Sequence, residues 1–581
     1  MVYGGKPSRG CRTCRARRIK CDEGKPTCEQ CAKSKRECGG YRPEFEIIHR
    51  DQTTTTVRRV RKALELERRP PARVITRAGF IFVHEQPEQP SHQQSYQQRQ
   101  WHRQQNSSPP PVVTVPLAQR AACYFASNFI LCPLSGTPHG YFDYLIPLLE
   151  SAPADSALNH AFNACAFAAF GNRTKSGNVD FSGLSLKAYT LALTATHTAL
   201  GDSTEANTDA TLAAVLLLSL YESITAIKSA QMLTWQSHVD GAAHIVKARG
   251  RAQMCRTKTG TLLFNAVRHQ LISRSLSASK LPPLGADFWV DDSATDSLFT
   301  TAGHFALKTS ELCVEVSGFT ANKSRDSESV QLIVDMAKHI QAVDHDIAAW
   351  QTNIPSELRP RIFCWISEPS TAPEAAAFAE ADAFPGRVDI YSDFMTAAAW
   401  NLGRASRLIL ESLKVRITAW LCAPADYRTT AEYARSKEAC EGIISDIIAS
   451  VPYYLGWHTK RRELFGNEPE LSGFACGEDK SVKALPALLL MWSLTCMKNN
   501  DMASEDQRVW AKGRLSFISD QVGLKNAGVL NQFPFRFPSM MIRQDGLMSS
   551  PDPLRDPVGA GIIKRQSDAS SVPSSPRSSN S

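Results

Sequence analysis

Long apolar runs are missing from this sequence. The longest ones, LAAVLLL at 212–218 and LPALLLMW at 485–492, are far shorter than the roughly 18–20 residues that a membrane-spanning helix needs. The first residues, MVYGGKPSRG, contain no apolar stretch of the kind that directs secretion. We therefore expect a soluble, intracellular chain that has no membrane partner.

Catalytic motifs are missing as well. The chain has no phosphate-binding G-x-x-x-x-G-K-[ST] loop, no G-x-S-x-G nucleophile turn and no H-E-x-x-H zinc-protease helix. The nearest approach to the zinc-protease motif, HEQPE at 84–88, contains a proline and lacks the second histidine. These absences argue against an enzyme.

Acidic residues are absent between Lys6 and Cys21, where basic residues are concentrated, and the charge of the chain is unevenly distributed. The 581 residues carry a formal net charge of +9. Residues 1–69 hold 19 Lys and Arg against nine Asp and Glu, whereas the rest of the chain holds 47 against 48. Seven basic residues and no acidic one lie between Lys6 and Cys21. A basic end on a neutral chain predicts a polyanionic partner.

Six of the 16 cysteines lie in this basic end, spaced C-x2-C-x6-C-x6-C-x2-C-x6-C. These six residues are Cys11, Cys14, Cys21, Cys28, Cys31 and Cys38. Disulfides are rare in reducing compartments, iron–sulfur clusters use four cysteines at other spacings, and a redox pair needs a single C-x-x-C. The spacing instead favours zinc, because a C-x-x-C pair holds one ion from a single turn.

The number of sulfurs limits how zinc is bound. One tetrahedral zinc needs four thiolates and would leave two unused, whereas two zincs need eight ligand positions. Six thiolates fill eight positions only when two of them bridge both metals. The cysteine pattern repeats after 17 residues, so the first cysteines of the two halves, Cys11 and Cys28, are the symmetric choice for bridging. We predict a cluster of two Zn²⁺ ions.

The stretch resembles the fungal zinc binuclear cluster, or Zn2Cys6, DNA-binding domain over residues 11–38. The six cysteines, the CRxRRIKCD run and Pro26 carry the resemblance. It implies two short helices, each preceded by an extended strand, around two zincs. It also implies that Arg18 reads the G·C pairs of a CGG triplet. We expect Arg15, Arg17 and Lys20 to contact DNA phosphates, which position the protein without specifying sequence.

The first helix of this domain has a predictable orientation. On a helix that starts near Arg12, Ala16 and Ile19 form a narrow apolar edge, which we expect to face the cluster. The basic side chains would then point outward, so that the helix lies across a phosphate backbone with one end in the major groove.

Composition divides the rest of the chain. We expect a flexible N-terminus at 1–10, a basic linker at 39–84, a disordered Gln/Pro-rich linker at 85–116, an all-α domain at 117–548 and a disordered Ser/Pro-rich tail at 549–581. The basic linker includes a short helix at 57–69, where zinc-cluster proteins often dimerise. Its apolar pattern covers less than two heptads, fewer than the roughly three or four that indicate a coiled coil, so the homodimer expected here follows from the resemblance alone.

Helical patterns dominate the large domain. Residues 208–223 predict a strongly apolar helix capped by Asn207 or Thr208, and residues 235–250 predict a helix that Gly250 ends. Residues 391–421 predict one long helix or two shorter ones.

Three stretches of this domain resemble the fungal-specific transcription factor domain. They are ACYFASNFILCPL, LLLSLYES and HVDGAAHIVKARG. The two resemblances imply a nuclear, sequence-specific regulator of RNA polymerase II transcription. Its expected partners are DNA with CGG half-sites and the transcription machinery, and its expected target is a metabolic or secondary-metabolite pathway. The alternative is a small-molecule sensor or metabolic enzyme that its zinc module docks on chromatin.

Overall fold

The computed structural model describes two separate parts of the chain. The described residues are 10–17, 19–24, 26–40, 115–133, 140–173, 179–278, 280–289, 298–322, 325–368, 375–457, 461, 474–475, 481–532 and 535–547. The helix predicted at 57–69 and the tail predicted at 549–581 lie outside these residues. The predicted linker at 85–116 also lies outside them, apart from its last two residues.

The N-terminal part contains two short helices, α1 (Arg12–Ala16) and α2 (Glu29–Lys33). Each helix begins directly after a cysteine, because Cys11 and Cys28 are the two N-cap residues. Among the described residues of this part, the interior consists of cysteine side chains and contains no larger apolar group. A fold of this size has too little apolar surface to form a core of its own.

The C-terminal part is largely helical, as the sequence predicted. Its helices up to the middle of the chain are α3 (Leu117–Phe129), α4 (Leu145–Ser151), α5 (Ala157–Arg173), α6 (Phe181–Gly201), α7 (Asp209–Thr225), α8 (Ala230–Arg249), α9 (Arg251–Met254), α10 (Lys258–Ala278), α11 (Leu298–Asn322) and α12 (Ser327–Asn353). The later elements are β1 (Arg361–Ile366), α13 (Ala375–Glu380), β2 (Gly386–Ile390), α14 (Phe394–Cys422), α15 (Ala431–Tyr454), α16 (Ala484–Asn499), α17 (Glu505–Phe517) and α18 (Asn526–Gln532).

The three helices predicted in this domain are confirmed, with small changes at their ends. Thr208 caps α7, and its hydroxyl accepts a hydrogen bond from the Thr211 amide. Gly250 ends α8 with a φ of +77°, a backbone conformation that glycine adopts at little cost. The long stretch is one helix, α14, which the Asp393 carboxylate caps.

The centre of this domain is α14. It packs against α11, α12, α15 and α16, and it is buried along almost its whole length. A second group of helices, α5 to α8, packs side by side, with α7 buried on nearly every face. One connected hydrophobic core extends from Ala121 in α3 to Leu547.

A two-stranded hairpin is an addition that the sequence did not predict. Strands β1 and β2 pair antiparallel, with Arg361 opposite Ile390 and Ile366 opposite Gly386. The segment RIFCWI is rich in β-branched and aromatic residues, which favour strands, but it is too short to show a clear alternation. Among the described residues, no helix combines the length and the apolar character that crossing a bilayer would need.

Candidate zinc and DNA-binding site

The six N-terminal cysteines form two overlapping groups of four sulfur atoms. The first group contains Cys11, Cys14, Cys21 and Cys28, and the second contains Cys11, Cys28, Cys31 and Cys38. Within each group all sulfurs lie within 4.8 Å of one another. The two groups therefore share two sulfurs, those of Cys11 and Cys28.

The sulfur–sulfur distances suit tetrahedral zinc. A Zn–S bond of about 2.3 Å places two ligands of one tetrahedral ion about 3.8 Å apart. The sulfur of Cys11 lies 3.7 Å from that of Cys28 and 3.7 Å from that of Cys31, and the sulfurs of Cys14 and Cys28 are 3.6 Å apart. These four side chains have no solvent-exposed area. A buried set made only of thiols fits zinc chemically.

Backbone amides point at three of these sulfurs. The amides of Cys14 and Cys31 donate to the sulfurs of Cys11 and Cys28 at 3.3 and 3.4 Å, one at the start of each helix. The Cys11 amide donates to the Cys21 sulfur at 3.5 Å and lowers the pKa of that thiol to about 7. Burial raises the pKa of Cys28. Amide donors favour thiolates, and thiolates are the form that binds zinc.

Two polar side chains form hydrogen bonds that join separate segments of the small domain around the sulfurs. The Asp22 carboxylate accepts hydrogen bonds from the amides of Glu29 and Gln30 at 3.0 and 3.4 Å, which satisfies the first turn of α2. The Thr13 hydroxyl donates to the Glu37 carbonyl at 3.0 Å and so ties α1 to the C-terminal end of the domain.

The four predicted DNA contacts occupy different environments. Lys20 is exposed, and Arg18 lies outside the described residues. Arg17 is exposed and donates to the Ser34 hydroxyl at 3.2 Å, which links the ends of the two helices. Arg15 is half-buried, and one of its terminal nitrogens has no hydrogen-bond partner among the described residues.

The predicted apolar edge of the first helix is wrong. Helix α1 ends at Ala16, which is exposed, and Ile19 is 38% exposed instead of facing the cluster. The Ile19 amide donates to the Cys14 carbonyl at 3.1 Å, so the chain has already left the helix at this point. A helix of five residues cannot carry an apolar stripe over two turns. The segment that the resemblance places before α1 lies outside the described residues apart from positions 10–11, and Cys28 directly before α2 has extended backbone.

Two functional positions were missed by sequence reasoning. They are Asp22, which belongs to the CRxRRIKCD run, and Thr13. No local signal in the sequence indicated Asp22, because the α2 amides from which it accepts are seven and eight residues away, beyond the reach of a helix cap. The signal for Thr13 was absent, since its partners Glu37 and Gly39 are more than 20 residues away.

Comparison with known families identifies both parts of the chain. Residues 9–46 match the fungal Zn(2)-Cys(6) binuclear cluster domain, and residues 123–357 match the fungal specific transcription factor domain. No solved structure matches the chain significantly. The paired four-sulfur groups and the large helical domain thus define a DNA-binding regulator of transcription.

Individual transcription regulators from fungi are similar in sequence to this chain. The chain is 23% identical to transcription factor dbaG of Emericella nidulans over 437 residues. This alignment covers 72% of this chain and 91% of the relative. Over 39 residues it is 51% identical to the aspercryptin biosynthesis cluster-specific transcription regulator atnN of the same organism. Over 48 residues it is 69% identical to transcription activator AMTR1 of Alternaria alternata. These two shorter matches cover 7–8% of this chain and 6% of each relative. The chain thus combines the two domains that are typical of fungal Zn2Cys6 transcription factors.

Proposed function

We propose that the protein is a nuclear transcription factor that binds CGG-type DNA elements through residues 11–38 and regulates RNA polymerase II transcription. The observation that carries this proposal is the pair of four-sulfur groups that share Cys11 and Cys28. A fold held by two metals presents a fixed basic surface, and DNA is the polyanion that such a surface suits.

Two Zn²⁺ ions would be held by the two sulfur groups, with Cys11 and Cys28 as the bridging ligands. Bound zinc would supply the folding free energy that this domain lacks, because the described residues around the sulfurs contain no other buried core. Six thiolates and two zinc ions leave a net charge of about −2. The surrounding Lys and Arg residues would offset that charge.

The basic side chains would divide their roles on DNA. We assign base reading to Arg18, since an arginine fork pairs with O6 and N7 of guanine. Arg15, Arg17 and Lys20 would contact phosphates. Arg17 would exchange its bond to the neutral Ser34 hydroxyl for a bond to phosphate, in which the acceptor is charged as well and the bond is stronger.

The large domain at 117–548 would control the output of the DNA-binding domain. Residues 39–84 and 85–116 would connect the two parts. The region at 57–69 would supply any homodimer contact. One relative of the N-terminal part is named as a cluster-specific regulator of aspercryptin biosynthesis. A secondary-metabolite pathway is therefore the favoured target class, and the transcription machinery is the expected protein partner.

The test distinguishes base recognition by Arg18 from phosphate contact by Lys20. The full chain is titrated against a CGG duplex and a scrambled duplex at several salt concentrations. Arg18→Ala should weaken binding to the CGG duplex by roughly 1–3 kcal/mol and should weaken the scrambled duplex much less. Lys20→Ala should weaken both duplexes about equally and reduce the salt slope by about one unit.

Two outcomes would contradict the proposal. If Arg18→Ala weakened both duplexes equally, Arg18 would not read bases. If the wild-type chain bound both duplexes equally at every salt concentration, CGG recognition itself would be wrong. Zinc content is measured on every variant, so that a loss of metal is not mistaken for a loss of DNA contacts.

A further inference from the structure

The connection between the two strands of the hairpin has an unusual composition. Residues 367–385 carry four acidic residues and no basic one, together with two aromatic residues. Its described C-terminal half contains α13 and runs directly into β2. We name residues 375–385 the acidic strap. Alternation of acidic and hydrophobic residues is typical of segments that transcription regulators use to recruit partners.

Aromatic contacts hold the acidic strap on α17. The Trp510 indole of α17 is fully buried and donates to the Ala381 carbonyl at 3.0 Å. The Phe384 ring meets the Trp510 ring edge-on, with centroids 5.7 Å apart, and stacks on the Phe378 ring at 5.3 Å. The described side chains of the strap itself are half-buried or exposed. The Trp510 side chain beneath the strap is therefore more deeply buried than the side chains of the strap itself.

Charge complements these aromatic contacts. The Arg514 side chain of α17 is only 4% exposed and lies 3.4 Å from the Asp382 carboxylate, which is 43% exposed. Arg514 also donates to the Ala379 carbonyl at 3.1 Å. Beneath the strap, α17 thus presents a cation and an indole donor to an acidic, aromatic segment.

A glycine marks the closest approach between the strap and α17. A Cβ atom at Gly513 would overlap the Ala379 carbonyl group, which is backbone and cannot move without moving the strap. Glycine inside a helix is less favourable than alanine. At Gly513 the absent side chain makes room for the strap to pass directly over the helix.

We propose that the surface of α17 formed by Trp510, Gly513 and Arg514 is a binding site for an acidic, aromatic peptide segment. The acidic strap is its intramolecular occupant. Docking buries the aromatic side of the strap, and release makes the strap available to a protein partner that recognises acidic, aromatic segments. The inference does not depend on DNA recognition, so it stands or fails independently of the proposed function.

The direct test adds the strap as a separate peptide. In the full chain, residues 375–384 are replaced by a Gly/Ser linker of equal length, and circular dichroism verifies that the helical content is retained. A dye-labelled peptide with the sequence of residues 374–385 should bind this variant. It should bind the unaltered chain at least about tenfold more weakly, because the tethered strap competes at high effective concentration. A folded linker variant that binds no peptide would overturn the proposal.

Two glycine substitutions provide a matched control. Gly513→Ala in the linker variant should abolish peptide binding, whereas Gly442→Ala should not, because a Cβ at Gly442 of α15 meets no atom within 4 Å. In the unaltered chain, Gly513→Ala should accelerate chymotrypsin cleavage after Phe378 relative to Gly442→Ala. This second measurement requires no strap replacement. Equal cleavage rates, or equal peptide binding by the two glycine variants, would show that α17 does not hold the strap in this way.

Discussion

Removing the Asp545 carboxylate should destabilise the helical domain strongly. Asp545 lies near the end of the described chain and accepts hydrogen bonds from the Arg416 guanidinium of α14 at 2.7 and 2.9 Å. The two side chains are only 6% and 3% exposed. A third bond runs from Arg416 to the Ser317 hydroxyl of α11 at 3.0 Å. The pair thus joins the C-terminal segment to two central helices.

The expected magnitude follows from the charge left behind. Asp545→Ala buries a guanidinium that retains only the bond to Ser317, and removal of one partner from a buried pair costs about 3–5 kcal/mol. We expect the lower end of that range, about 3 kcal/mol, because Ser317 still accepts one bond. This corresponds to a roughly 150-fold change in the unfolding equilibrium. The double substitution Arg416→Met with Asp545→Leu removes both charges and should lie within about 1–2 kcal/mol of the unaltered chain.

Urea unfolding followed by far-ultraviolet circular dichroism measures this effect. Helices α1 and α2 contain only five residues each, so the signal reports the large domain. The control is Glu432→Ala, which breaks an ion pair with Arg435 whose side chains are 59% and 72% exposed. Exposed pairs contribute little to stability. If Asp545→Ala cost no more than the control, or if the double variant were less stable than Asp545→Ala, the argument from buried charge would be refuted.

The remaining predictions concern metal content, closure of the small domain and pH. Cys11→Ser removes a sulfur from both four-sulfur groups and should lower the affinity for both zinc ions, whereas Cys14→Ser should lower the affinity for one ion only. Equal zinc loss from the two variants in a chelator titration would contradict the sharing of Cys11 by both ions. Asp22→Ala leaves two amides of α2 without their acceptor and should speed zinc loss to a chelator more than Asp22→Asn does. Equal rates of zinc loss from the two variants would show that these hydrogen bonds do not stabilise the metal site. Burial lowers the pKa of Lys498 to about 8, so the unfolded chain binds more protons than the folded one between about pH 8 and pH 10.4. Stability should therefore rise with pH across that window and fall as pH drops back to about 8, and Lys498→Met should flatten the rise in urea unfolding; an unchanged slope would show that Lys498 does not titrate there.

The cysteine spacing alone predicted how many metals the N-terminal domain would hold and which cysteines would be shared. That inference needed only ligand counting and a repeat, because the number of thiolates limits the number of tetrahedral ions. Local patterns also predicted Thr208 and Gly250 as helix ends, since capping depends on residues within a few positions of one another. The same local reasoning failed at Ile19, where cysteines and not apolar side chains fill the interior.

The tertiary structure alone revealed the contacts between distant segments. The indole of Trp510 meets the Ala381 carbonyl across 129 residues, and Arg416 pairs with Asp545 across the same separation. No periodicity or motif near either partner indicates the other. Such pairs form because helices that are far apart in sequence bury their apolar faces against one another, and that packing determines which polar groups must satisfy each other away from water.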